Sequence, residues 1–319
     1  MANSADDPRG DTFPRRRSGR RGTYSIVARD PETGAVGVAV QSHWFSVGSL
    51  VSWVEPGVGA VATQANVEVS YGPRALRLLR AGRPAGEALA ELTAGDPQAQ
   101  VRQVAVVDAA GRAAAHTGAD CMPDAGHALG DGCSCQANLM ASAAVWPAMA
   151  AAYAAASGSF PRRLLAALDA AESAGGDVRG RQSAALLVAP ARGEPWERIV
   201  DLRVEDHPEP LAELRRLLGL HDAYVLAGEG DRLSGEGRMA EAADRYVAAH
   251  ELAPESVELA FWAGLALVAR GEEERGAAQV RRIIERHGGW AQLLRRLPAG
   301  AAPGLDGTRG LLGIGSDRP

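Results

Sequence analysis

From residue 23 to about 204 the chain alternates short apolar runs of period two with paired segments of helical period, and beyond 222 the period is helical throughout. In Thr23-Tyr24-Ser25-Ile26-Val27-Ala28-Arg29 a strand puts Thr23, Ser25 and Val27 on one face and Tyr24, Ile26 and Ala28 on the other. Asp30-Pro31-Glu32-Thr33-Gly34 has the chemistry of a tight turn, so 35–42 reads as the second arm of a hairpin. A second strand pair, 47–54 and 58–64, flanks Glu55-Pro56-Gly57. Leu and Ala then recur at helical spacing over 73–81 and 84–94, each opened by a proline suited to a first turn. Strands follow at 101–108, 112–117 and, shorter, 134–139. Helices at 143–156 and 161–173, strands at 182–189 and 199–204, and a closing helix at 211–218 complete the pattern.

Strands in adjacent hairpins with helices arriving two at a time predict stacked sheets flanked by helical layers, an α+β four-layer αββα sandwich. From Asp222 the composition changes to Ala, Glu, Arg and Leu. There Gly230, Ala242, Tyr246, Ala249 and Pro254 sit where a tetratricopeptide-like repeat of about 34 residues would have them, and Gly264 recurs one period after Gly230. The expected organisation is a basic arm over 1–22, a sandwich domain over 23–221, a helical repeat domain over 222–296 and a loose Gly/Pro/Ala tail over 297–319. Such repeats usually bind a protein partner or pack on their own domain, and two copies fall below the three or so that stand alone, so docking on the chain's first domain or on a second subunit is expected of them.

A net charge of −5 gives no field for nucleic acid or anionic membranes, and no apolar run is long enough to span a bilayer. All 34 basic side chains are arginine, which removes lysine Schiff-base and general-base chemistry. Three cysteines, Cys121, Cys133 and Cys135, make no disulfide framework and agree with a reducing, cytoplasmic compartment. With His116 and His127 they raise the question of zinc, but Cys133-Ser134-Cys135 is a cramped pair and no metal or other cofactor is expected. Exposed sheet edges and the short repeat predict a homo-oligomer.

Thr23-Tyr24-Ser25-Ile26-Val27-Ala28-Arg29-Asp30, Ser70-Tyr71-Gly72-Pro73-Arg74, Gly175-Gly176-Asp177-Val178-Arg179-Gly180-Arg181-Gln182-Ser183 and Asp201-Leu202-Arg203-Val204-Glu205-Asp206-His207-Pro208, in that order, resemble the bacterial domain of unknown function 1028 family. The resemblance covers roughly 23–221. That family is grouped by fold with the N-terminal nucleophile hydrolases, which cleave amide bonds with the side chain of the first residue and use its α-amine as base. The resemblance therefore implies a small amide or peptide substrate and a nucleophile at Thr23 or Ser25. Relatives that begin Met-Thr-x-Ser-Ile-Val-Ala free their threonine by losing methionine; here the arm precedes it, and cleavage after Gly22 would do the same. Ser42, on the strand beside the first, Thr63 and Gln64 at the end of the fourth strand and Asn138 at the end of a short strand are candidate donors to a developing oxyanion. Thr63 and Gln64, with Tyr71, Asp177, Arg179 and Gln182, are candidates for substrate binding. Arg179 would grip a carboxylate, or else pair with Asp177 to shape its loop. The rival expectation is a non-catalytic ligand-binding scaffold that recruits a partner through its repeats.

Overall fold

The computed structural model describes residues 22–317, so the basic arm expected over 1–22 lies outside the described residues except for Gly22. The chain divides into two compact units between Leu211 and Ala212. It is a mixed α+β structure with antiparallel sheets and a C-terminal helical region.

In the first unit β1 (Thr23–Arg29) and β2 (Val36–Ser42) form the expected hairpin, with Thr23 opposite Ser42. Then come α1 (Gly48–Val51), β3 (Ser52–Glu55) and β4 (Gly59–Ala65). The strand expected over 47–54 is therefore a helical turn followed by a shorter strand. Its apolar run suits either period, and Ser46 in the left-handed region, φ 57°, breaks the extended path before it. α2 (Tyr71–Arg80), α3 (Ala85–Ala94), β5 (Arg102–Asp108) and β6 (Ala113–Thr117) follow the pattern closely. The sequence pattern missed β7 (Gly126–Gly130), which precedes β8 (Cys133–Asn138). α4 (Val145–Ala155), α5 (Phe160–Ser173), β9 (Ser183–Ala189) and β10 (Val200–Val204) complete the unit.

One sheet runs β10-β9-β2-β1-β8-β7 and the other β3-β4-β5-β6, with every neighbouring pair antiparallel. Period-two alternation sorts the core. On β4, Ala60 and Ala62 pack with Val27, Val38, Val40 and Leu187 of the larger sheet, whereas Val61 joins Val104, Val106, Tyr71, Leu79 and Leu92 against α2 and α3. On the larger sheet α5 packs on β1, β2 and β9, and α4 on β7 and β8. The face of β1 that carries Thr23 and Ser25 is thus the one turned toward the smaller sheet.

The helix expected over 211–218 is α6 (Pro210–Gly235), which opens at the end of the first unit and passes unbroken through the boundary expected at 221. No proline or cap interrupts Leu218 to Asp222. α7 (Met239–Leu252), α8 (Val257–Ala269), α9 (Glu273–Arg286), α10 (Gly289–Arg296) and α11 (Leu305–Leu312) follow. Gly230 lies under the Tyr246 ring, where a Cβ would come within 2.8 Å of Cε1. Gly264 and Gly276 let α8 and α9 meet backbone to backbone, since a Cβ on Gly276 would sit 2.4 Å from the Gly264 carbonyl oxygen. The segment from Leu297 is not the loose tail expected of it. α11 packs on α8 and α9, and the buried Arg309 donates through Nε and Nη2 to the Leu294 carbonyl at 2.9 and 2.6 Å. A guanidinium that satisfies a helix C-terminus in this way anchors the segment despite its glycines. Among the described residues no helix is long and apolar enough to cross a membrane.

Candidate active site

The antiparallel registers bring the start of β1, the ends of β2 and β8 and the start of β9 to one end of the larger sheet, and Gln64 near the end of β4 meets them from the smaller one. Thr23 stands there between Ser42 and Asn138, its partners on the neighbouring strands. It is buried, and its nitrogen is in a peptide bond with Gly22. The Gly22 carbonyl oxygen is the focus of the donors around it. It accepts from Thr23 Oγ1 at 2.7 Å, from Ser42 Oγ at 2.5 Å and from Arg179 Nη2 at 2.9 Å. The Thr23 and Ser42 hydroxyl oxygens lie 3.1 Å apart.

Behind this carbonyl lies a buried layer of neutral amides and hydroxyls. Ser25 Oγ donates to Gln64 Oε1 and accepts from Gln136 Nε2, both at 2.6 Å. Gln64 Nε2 donates to the Thr23 carbonyl at 3.2 Å and to Gln103 Oε1 at 2.7 Å. Asn138 Nδ2 reaches the same two acceptors at 3.4 and 3.0 Å, which leaves its Oδ1 buried without a partner. Gln103 Nε2 in turn donates to Thr117 Oγ1, Gly126 O and Ala137 O, and Thr117 meets His127 Nδ1 at 2.9 Å. Burial first, then the neighbouring His116, lowers the pKa of His127, which favours its neutral imidazole.

The structure thus gathers Thr23, Ser25, Ser42, Gln64, Asn138, Asp177 and Arg179. It does not gather Thr63, Tyr71 or Gln182. The alternation that turns Gln64 inward turns Thr63 outward, where its hydroxyl donates to the Glu68 carbonyl. Tyr71 is a core residue of α2 whose hydroxyl donates to Asp96 at 2.9 Å; burial first, then that carboxylate, pushes its pKa well up. Gln182 is half-buried and donates to Asp206. Arg179 is forked on Asp177, with Nε and Nη2 donating at 3.1 and 2.8 Å. Its charge is therefore spent within the loop, and what it offers the site is an N–H aimed at a carbonyl. The sequence pattern did not point to Gln103 or Gln136, although for Gln103 an amide leading into the apolar run Val104-Ala105-Val106-Val107 was a signal.

All four non-glycine residues with left-handed backbone among those described lie at this same end, Ala65 as the last residue of β4 and Ser46, Asp124 and Leu139 in the connections. Conformations costing on the order of 1 kcal/mol or more concentrate where a fold holds a functional geometry. No three His, Cys, Asp or Glu side chains among the described residues gather so as to hold a metal ion. Burial raises the thiols of Cys121, Cys133 and Cys135, Cys133 to about 11, so none is poised as a thiolate nucleophile.

A family of unknown function, DUF1028, matches residues 23–214. The chain belongs to it. The crystal structure of a second protein carrying the DUF1028 family label, SPO2555 from Silicibacter pomeroyi, is similar at 36% identity and a TM-score of 0.57, covering 62% of this chain and 88% of that one. No curated protein matches. The DUF1028 match begins at Thr23 itself and spans all ten strands, so the residues gathered around the Gly22–Thr23 bond, Gly22 apart, lie within the shared domain.

Proposed function

We propose that the two sheets and their flanking helix pairs are the four-layer αββα sandwich of the N-terminal nucleophile hydrolases, and that this chain is an amidohydrolase whose first substrate is its own Gly22–Thr23 bond. The observation that carries this reading is the Gly22 carbonyl oxygen, held by Ser42 and Arg179 while the Thr23 hydroxyl lies within 2.7 Å of it. Attack of Thr23 Oγ on the Gly22 carbonyl carbon puts negative charge on that oxygen. Ser42 and Arg179 remain as its donors, and each such donor is worth about 3 kcal/mol of the barrier. As the C–N bond breaks, the hydroxyl proton passes to the Thr23 nitrogen and the Gly22 acyl group is left as an ester on Oγ. Water then hydrolyses the ester, releasing a Gly22 carboxylate and a threonine with a free α-amine. That amine, with a pKa near 8, is the base for later turnovers. While the bond is intact the nitrogen is an amide and cannot serve as a base, so cleavage and activity are one event. Ser25, tied to Gln64 and Gln136, supports the strand and is not the nucleophile in this reading.

The helical unit is read as a tetratricopeptide-like pair that takes a protein partner, supported by the close fits at Gly230 and Gly264. A panel of small amides offered to wild-type protein and to Thr23→Ala tests the catalytic reading. Hydrolysis by the wild type alone supports it, and equal hydrolysis by both refutes it. A wild type that cleaves no amide and keeps residues 1–22 leaves the scaffold reading in its place.

A further inference from the structure

Gly22 is followed by the reacting bond, and its own environment determines what can occupy the acyl side. A Cβ built at this residue would lie 2.4 Å from Asp177 Oδ2, 2.7 Å from its Cγ and 2.8 Å from its Oδ1, closer than carbon can approach. The glycine is not needed for its backbone, because its φ lies outside the left-handed region. The three atoms nearest to such a Cβ all belong to Asp177. That carboxylate is no flexible end that could step aside: its side chain is 0% exposed. Oδ1 accepts from Arg179 N at 2.9 Å and Nε at 3.1 Å, and Oδ2 from Arg179 Nη2 at 2.8 Å and the backbone N–H of His43 at 3.4 Å. Moving it would break the fork that aims Nη2 at the Gly22 carbonyl. The group that admits the acyl carbonyl and the group that bars an α-substituent are therefore one unit.

From this geometry we infer that Asp177 is a specificity-determining residue which restricts the acyl group to glycyl, so that the substrates of the cleaved protein are glycyl amides or glycyl peptides, with no L-side chain on the residue whose carbonyl is attacked. The inference rests on the reading of Thr23 as nucleophile and extends it to the substrate. It replaces the expectation that Arg179 grips a substrate carboxylate, since Asp177 already occupies that fork.

Intact-mass time courses of the full chain, as wild type and as Gly22→Ala, give the first arm, with melting curves to establish that both are folded. Gly22→Ala is expected to cleave about tenfold more slowly or worse, the scale on which a shaped pocket rejects one added methyl. The same substitution is then made in the Asp177→Ser background, and only the ratio of the two rates is compared, so that any loss from a loosened Arg179 cancels. The ratio shrinks if Asp177 is the barrier. In the second arm the self-cleaved wild type receives N-acetyl-glycyl and N-acetyl-L-alanyl anilides, and the glycyl compound is expected to turn over faster by a similar factor. Equal cleavage of wild type and Gly22→Ala, an unchanged ratio in the Ser background, or equal rates on the two anilides overturns the inference while the nucleophile stands. A wild type that never cleaves is a different result, and it removes the reading and the inference together.

Discussion

Gln103 makes the buried amide layer behind Thr23 a single connected object, and its replacement by leucine tests whether that layer holds the two sheets together. The side chain is fully buried among five polar partners: the two N–H groups of Nε2 are shared among Thr117 Oγ1, Gly126 O and Ala137 O, and Oε1 accepts from Gln64 Nε2 and Asn138 Nδ2, so its full capacity of four hydrogen bonds is used. At about 1 kcal/mol net for each bond, Gln103→Leu forfeits about 4 kcal/mol. The apolar surface it gains in a site of similar volume returns about 1–2 kcal/mol. The expected cost is thus about 2–3 kcal/mol, read as a lowered urea midpoint with an unchanged slope. Gln41 supplies the control, because it is equally buried while neither its Oε1 nor its Nε2 has a partner. There the same change to leucine removes two unsatisfied groups and forfeits no bond, so Gln41→Leu is expected to stabilise by about 1 kcal/mol. Opposite signs for one chemical substitution follow only if hydrogen bonding, not size, distinguishes the two positions. A Gln103→Leu protein within about 1 kcal/mol of wild type, or a Gln41→Leu protein as damaged as it, would refute the reasoning.

Ser42→Ala removes one of the donors on the Gly22 carbonyl and is expected to slow self-cleavage by about 10²–10³-fold with the melting temperature little changed; a time course as fast as wild type would count against the oxyanion role. Acid sensitivity has a defined source at Asp30, where burial raises the carboxyl but is outweighed by hydrogen bonds from Thr33 and Arg163 and by the Arg163 charge, so its pKa is lowered. A carboxyl held below its unfolded value contributes stability that is complete above about pH 4 and is lost as the pH falls through the lower folded value. Asp30→Asn is therefore expected to be less stable at pH 7 yet to lose less between pH 5 and 3, measured by urea midpoints across that range. Parallel curves for the two proteins would show that Asp30 is not the group responsible.

The strands were legible where side chains alternate cleanly. Thr23, Ser25 and Val27 share a face in the structure because a strand allows nothing else, and Val27 identifies that face as the one between the sheets. β7 was not legible, since Gly126-His127-Ala128-Leu129-Gly130 holds no β-branched residue and is bracketed by glycines; pairing with β8 makes it a strand. α6 outran its expected end because tertiary packing of Ala223, Ala227 and Leu233 continues a helix that composition alone divided at the change of domain. The site was legible only in part, for a similar reason. Ser42 is near Thr23 through the hairpin and could be placed from sequence, whereas Gln103 and Gln136 arrive through strand pairings that no local pattern encodes. Thr63 was misplaced by one residue of alternation, the smallest error a strand permits and one that moves a side chain to the opposite face.

The N-terminal residue of the purified wild-type protein, determined alongside Thr23→Ala by sequencing and intact mass, tests the central claim with the fewest intervening steps. The account predicts wild-type chains that begin at threonine 23 and Thr23→Ala chains that keep all 22 preceding residues. Wild-type chains that keep the Gly22–Thr23 bond, or Thr23→Ala chains cleaved at the same place and rate, would contradict it.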